Sequence, residues 1–157
     1  MMEFNNIDWA DSNIEKIEIE YDSIKLYLTR GRDAMIKIEI PTPDLSITQR
    51  AKKANEAEIP EIHGFIDFHK IPRDKGGIFM FYNINDELLF VGKARKLRQR
   101  IKKHFEDQVS PIKNHRDEVY TIDVCYVEDP MEREIYETYI INKLQSKYNV
   151  EKAFFKG

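Results

Sequence analysis

The stretch "GGIFMFYNINDELLFVGKARKLRQRIKKHF" (Gly76–Phe105) decides the fold. Two short apolar runs, "GIFMFY" (77–82) and "ELLFV" (87–91), flank the polar "NIND". That pattern predicts a β-hairpin with a loop of a few residues. The chain then turns abruptly basic. Ala94, Leu97, Ile101 and Phe105 are spaced by three, four and four residues and so share one face of a helix over 94–105. Lys93, Arg95, Lys96, Arg98, Arg100, Lys102 and Lys103 fall on the opposite surface. The unit is strand, strand, helix, with one apolar and one basic side.

Downstream, "EVYTIDVCYV" (118–127) predicts a long strand with Tyr120, Ile122, Val124 and Tyr126 on one face. Asp129, Pro130 and Glu132 form a capping-box start for a helix over 130–145, whose apolar face is Ile135, Tyr136, Tyr139, Ile140 and Leu144. Upstream, "IEKIEIEY" (14–21), "IKLYLT" (24–29) and "MIKIEI" (35–40) alternate apolar and polar residues, the period of an antiparallel meander. Pro41 and Pro43 end it. "DLSITQRAKKANEAE" (44–58) is rich in helix formers and predicts a helix ending before Pro60. Residues 60–75 read as loop, with His63 and His69 as ordinary structural histidines. The fold class is α+β: a small three-stranded antiparallel sheet flanked by helices, with an N-terminal β-meander. The expected domains are an acidic meander module (1–43), a helix and linker (44–75) and the hairpin-containing domain (76–157).

The net charge of −3 hides a strong local polarity. Residues 1–44 carry −5, residues 76–116 carry +5 and residues 117–157 carry −4. A basic segment between acidic ones is a local polarity that whole-chain charge conceals, and on charge alone it suits a plain solvated face or a nucleic-acid surface. No run of about 18 apolar residues exists, which excludes a membrane-spanning helix. "MMEFNNIDWADSN" lacks the basic and apolar regions of a signal peptide, and Cys125 is the only cysteine, set in an apolar strand. Both observations point to a cytoplasmic protein.

Lys93, Arg100 and His104 form a row of about 16 Å along the basic helix if Lys93 lies at its start. Such a row can follow a phosphate backbone, and arginine adds bidentate phosphate geometry. Glu137 lies midway along the last helix. Two readings of it stand side by side. One is a surface ion pair with Arg133, four residues earlier. The other is a carboxylate holding a hard divalent cation completed by water and phosphate.

Taken in order, "GIF" (77–79), "FVG" (90–92), "GKARKLRQR" (92–100) and "ETYIINKLQSKYN" (137–149) resemble the GIY-YIG nuclease superfamily, in particular the N-terminal incision domain of the excision-repair UvrC subunit. The likeness covers about residues 75–150 and leaves the meander aside. It implies a three-stranded sheet with helices beside it, and cleavage of phosphodiester bonds with one divalent ion, Mg²⁺ or Mn²⁺. By motif position, Gly77, Phe79, Phe90 and Gly92 are the signature residues. Glu137 is the implied metal ligand. Arg100 is implied to stabilise charge on the scissile phosphate, Lys93 to orient phosphate or a catalytic group, and Asn149 to support the site by hydrogen bonds.

Phe79 and Phe90 stand where the family has tyrosines implicated in activating or orienting the attacking water, and Ser146 replaces a frequent proline. Phenylalanine keeps the ring without the hydroxyl. Tyr82 falls on the opposite strand face from Phe79. His104, one helical turn past Arg100, is better placed as a base, with Lys93 or a metal-bound water acting directly as further options and a phosphate contact or solvent exposure as the plain reading of His104. The function implied is a metal-dependent endonuclease acting on DNA in repair or processing, with branched or damaged DNA as candidate substrates. The alternative is a nucleic-acid-binding module that has kept the fold and lost the reaction. The binding surface is Lys93, Arg95, Lys96, Arg98, Arg100 and Lys103. A protein partner would supply specificity.

Overall fold

The chain divides between Pro41 and Thr42 into two units, and a computed structural model describes residues 16–21, 24–29 and 34–156. The first unit holds three antiparallel strands, β1 (Lys16–Tyr21), β2 (Ile24–Thr29) and β3 (Ala34–Ile38), in the order β1-β2-β3. Their register runs from Lys16↔Thr29 to Tyr21↔Ile24 and from Ile24↔Ile38 to Leu28↔Ala34, the meander that the alternation predicts.

The second unit is built on a sheet of four strands, β4 (Leu45–Thr48), β5 (Gly77–Tyr82), β6 (Leu88–Ala94) and β7 (Thr121–Tyr126). They are antiparallel throughout, in the order β4-β7-β5-β6. The hairpin β5–β6 closes on Asn83, whose Oδ1 accepts from the N–H groups of Asn85 and Glu87 at 2.9 Å each. Asp86 takes the left-handed conformation (φ 60°) that such a turn needs.

The fourth strand is a departure from expectation. Residues 44–58 form β4 and a short 3₁₀ turn, Ala54–Glu56, instead of a helix. Partners distant in sequence decide it. Leu45 and Ile47 pair with Val124 and Ile122, Ser46 Oγ donates to Asp123 Oδ1 (2.5 Å), and the Tyr126 N–H donates to Asp44 Oδ2 (2.7 Å). Arg50 then knots the following loop by binding Glu56 and Asp67 through both carboxylates. Intrinsic helix propensity is a fraction of a kcal/mol per residue and yields to such pairing.

Helix α1 (Leu97–His104) starts later than Ala94, because Ala94 still belongs to β6. The predicted face holds: Ala94, Leu97, Ile101 and Phe105 are all buried. They pack with Phe79, Phe81, Phe90, Ile122 and Val124 into one core. Helix α2 (Pro130–Leu144) begins on Asp129, whose side chain accepts from the Met131 N–H (2.9 Å). It ends at Gln145 in the left-handed region (φ 52°). Its buried face is rotated from the one predicted: Arg133, Tyr136, Ile140 and Ile141 are inside, while Leu144 is exposed. Arg133 is inside because its guanidinium donates to the carbonyls of Val127 and Glu128, both at 2.7 Å. Helix α2 packs on β5 and β6.

Strand β6 ends the sheet, and the segment after α2 runs along its outer edge. The N–H groups of Lys147 and Tyr148 donate to the carbonyls of Leu88 and Leu89 (3.1 and 2.8 Å). Asn149 completes the edge with its side chain, accepting from the Val91 N–H (2.9 Å) and donating to the Val91 carbonyl (3.0 Å). No helix among the described residues is long and apolar enough to cross a membrane.

Candidate active site

A cleft of about 610 Å³ opens where β6, α1, α2 and the C-terminal segment meet. Phe79, Phe90, Gly92, Lys93, Arg100, His104, Glu137 and Asn149 all line it. Residues from five separate stretches of sequence, each predicted for the site, thus converge on one cavity. Val109, Val150, Glu151 and Lys152 also line it.

Two glycines make the geometry. Gly92 pairs with Phe79 across the hairpin, and a Cβ at position 92 would stand 2.2 Å from Phe79 Cζ. The phenyl ring occupies the space that a side chain would need. At Gly77 a Cβ would stand 1.8 Å from the Cys125 carbonyl oxygen, so β5 can approach β7 only with glycine there. Cys125 itself is buried, and burial pushes its thiol up to about 12. It is a structural residue.

His104 sits among phenylalanines. Its ring centroid lies 5.3 Å from Phe79, 5.9 Å from Phe81 and 5.0 Å from Phe90. Burial lowers its pKa from 6.5 to about 4, against the raising effect of Asp107 and with the lowering effects of Arg100 and Arg116. The imidazole is therefore neutral at pH 7. Nδ1 lies 2.7 Å from Ser110 Oγ. Ser110 is buried and its N–H donates to Asp107 Oδ1 (2.9 Å). Arg116 closes the same loop by donating to the carbonyls of His104 (2.7 Å) and Asp107. The contact with Ser110 fixes the orientation of the ring at the cleft wall.

Glu137 does not pair with Arg133. It bonds Lys152, whose Nζ lies 2.6 Å from Glu137 Oε1 and 2.5 Å from Glu134 Oε1. Lys93 reaches Glu134 Oε2 from the other side (2.7 Å). The Lys152 and Lys93 ammonium groups lower the Glu134 carboxyl to about 2. The donor set fits a hard divalent cation: a positive charge already stands between two carboxylate oxygens, and a divalent ion of this class prefers the same oxygen partners. Among the described residues no group of three or more acidic, histidine or cysteine ligands surrounds the position. The remaining ligands of a bound ion would be water or phosphate oxygens.

The basic residues divide into two kinds. Arg95, Lys96, Arg100 and Lys103 are exposed and line an adjoining depression of about 380 Å³. Arg98 faces inward. Its Nε donates to the Ile71 carbonyl (2.5 Å) and its Nη2 to the His69 carbonyl (2.6 Å), so it ties the 68–71 turn to α1. His63, in a left-handed turn (φ 47°), packs on Phe105 with ring centroids 5.6 Å apart. Ser146, at the frequent proline position, donates to Asn149 Oδ1 (2.6 Å) and fixes the amide that pairs with Val91.

Sequence reasoning missed Lys152, Glu134 and Ser110. Glu134 carried a legible signal, since it lies three residues before Glu137 and so on the same helix side. Lys152 and Ser110 reach the site through loops whose paths no periodicity describes.

A family model described as "GIY-YIG catalytic domain" matches residues 75–149. Residues 75–149 belong to the GIY-YIG nuclease family. The chain is 77% identical over 124 residues to YurQ of Bacillus subtilis (strain 168), a match covering 78% of this chain and 100% of that protein. It is 31% identical over 88 residues to the UvrABC system protein C of Clostridium tetani, covering 52% of this chain and 14% of that protein. The chain thus spans about a seventh of its UvrC relatives. A crystal structure of the UvrC N-terminal GIY-YIG endonuclease domain from Thermotoga maritima, bound to magnesium, is similar with a TM-score of 0.47 and 24% identity, covering 54% of this chain and 97% of that one.

Proposed function

We propose that this chain is a divalent-metal-dependent endonuclease that cleaves DNA phosphodiester bonds in repair or processing. One observation carries the reading: Lys93, Arg100, His104, Glu137 and Asn149 line a single cleft at the edge of the GIY-YIG sheet. Glu137, with Glu134 beside it, would hold one Mg²⁺ or Mn²⁺, which when bound supplies a positive charge for the phosphate oxygens. Arg100, exposed at the mouth, meets the scissile phosphate and stabilises charge building on it. Lys93 orients phosphate from the opposite wall. Asn149 holds β6, and with it Gly92 and Lys93, at a fixed distance from α2. His104 accepts the proton of the attacking water at Nε2, taking the task for which Phe79 and Phe90 have no hydroxyl. Its neutral state at pH 7 supports that role, although a group with a pKa near 4 is a weak base.

Branched or damaged DNA is the substrate class proposed, with a protein partner supplying specificity; the acidic 1–43 module is one surface for such a partner. A cytoplasmic location accords with the single buried thiol. The second reading, a DNA-binding module without catalysis, draws on the same two phenylalanines.

Nicking of supercoiled and branched DNA in the presence of Mg²⁺ or Mn²⁺ separates the two. The endonuclease reading expects cleavage that Glu137→Ala abolishes, and that His104→Gln slows about 10²- to 10⁴-fold with DNA affinity unchanged. DNA binding that falls steeply with salt, without cleavage by any metal, establishes the binding module. DNA binding that is indifferent to Lys93→Ala and Arg100→Ala sinks both.

A further inference from the structure

We infer that the C-terminal segment is an inhibitory strap: Lys152 holds its ammonium in the cation position at Glu137, and a divalent ion binds by exchanging with it. The inference rests on the reading of Glu137 as the metal ligand. The strap lies beyond the matched motif residues, which end at 149.

The geometry makes the two cations mutually exclusive. Lys152 Nζ lies 2.6 Å from Glu137 Oε1 and 2.5 Å from Glu134 Oε1. A hard divalent ion needs the same oxygens at about 2.1 Å. Two positive centres sharing those oxygens would repel strongly at that separation. Lys152 Nζ therefore stands in for the ion. Without any cation, the carboxylates at positions 134 and 137, one helical turn apart, would repel each other. When Lys152 leaves, Lys93 still neutralises Glu134 at 2.7 Å, so the pair does not collapse before an ion arrives.

Polar groups clasp the strap. Asn142 on α2 grips it on both sides of the lysine, donating to the Lys152 carbonyl (2.7 Å) and accepting from the Phe154 N–H (2.7 Å). Lys152 takes the left-handed conformation at φ 64°, which a residue with a Cβ adopts only when its surroundings impose it. No residue of 150–155 is buried, and Val150 and Phe154 are 78% and 76% exposed. A segment with so little buried apolar surface opens at low cost. A ligand that binds only the open form then shifts the population by its differential affinity.

Calorimetric titration of the full chain with Mn²⁺, without DNA and at fixed pH and ionic strength, tests this. Lys152→Gln should bind Mn²⁺ about tenfold more tightly than wild type, Asn142→Ala should move in the same direction, and Lys152→Arg should stay near wild type. In the wild type, Mn²⁺ should remove hydrogen-exchange protection from the Phe154 amide. Unchanged or weaker affinity in both Lys152→Gln and Asn142→Ala, with Glu137→Gln abolishing binding, overturns the strap and leaves the metal site standing. Mn²⁺ binding that survives Glu137→Gln, or none in any variant, overturns the metal site and the strap with it. If Lys152→Gln fails to fold, Asn142→Ala and the exchange of the Phe154 amide decide the matter.

Discussion

Phe79 lies over Gly92 so closely that the ring fills the place of a side chain, with Cζ 2.2 Å from the position of a Cβ. Phe79 is fully buried and is held from the other side by Phe81, at a centroid distance of 5.2 Å. The ring cannot yield without disturbing the core. Gly92→Ala is therefore expected to destabilise the domain by about 2–3 kcal/mol, as overpacking does. Urea unfolding measures it. In the Gly92→Ala/Phe79→Ala double mutant the loss should be smaller than the sum of the two single losses, because the clash no longer exists.

Arg98 and its neighbours on the basic helix should respond differently to alanine. Arg95, Lys96 and Lys103 are exposed, so each substitution should weaken DNA binding and flatten the dependence of log K on log salt by about 0.7–0.9 for each phosphate no longer neutralised. Arg98→Ala should leave that slope unchanged and lower stability by about 1–3 kcal/mol, because two backbone carbonyls, of Ile71 and His69, are deprived of their charged donor. Salt-dependent binding isotherms and thermal unfolding on the same four variants check both halves.

Acid should destabilise the fold in a window that belongs to His104. Its folded pKa is about 4 against an ordinary 6.5, with burial as the main cause. Between these values the unfolded chain holds a proton that the folded chain does not. Stability is then complete above pH 6.5 and falls as pH drops toward 4, by up to about 3 kcal/mol. Glu56 and Glu134, both lowered from 4.5 to about 2, contribute below pH 4.5 and so meet this window only at its acid end. The pH dependence of urea unfolding should lose most of its slope between pH 4.5 and 6.5 in His104→Gln and keep it in Glu134→Gln.

Asn149 is expected to matter for β6 before it matters for chemistry. Its amide makes both bonds to Val91, and the residue is 6% exposed. Asn149→Ala leaves a buried N–H and a buried carbonyl without partners, at a cost of about 2–4 kcal/mol. Hydrogen exchange at the Val91 amide should accelerate more than exchange at the Met80 amide on the central strand β5.

The elements that sequence reasoning located are those whose signal is local. The hairpin, α1, β7 and α2 each carry a periodicity and a cap or turn of their own, and Asp129 caps α2 at the position read from the sequence. Strand β4 has no such signal. Four residues, "LSIT", become a strand because Ile122 and Val124, more than 70 residues away, offer an edge. Arg98 and Arg133 read as surface charges in the sequence, since nothing in spacing distinguishes a guanidinium aimed at solvent from one aimed at carbonyls. The site follows the same rule. Lys93, Arg100, His104, Glu137 and Asn149 are legible as a set through motif order. The occupation of Glu137 by Lys152 depends on a loop folding back across 15 residues.

The segment 147–149 has one more consequence, for the behaviour of the protein in concentrated solution. Strand β6 begins with the apolar run "LLFV", and an apolar edge strand is a place onto which a second polypeptide adds as another strand. Its outward carbonyls at Leu88, Leu89 and Val91, and the Val91 N–H, are already taken by the protein's own backbone and the Asn149 amide. Those backbone groups are therefore closed to a strand added by another polypeptide, on the very element that carries Gly92 and Lys93 into the cleft.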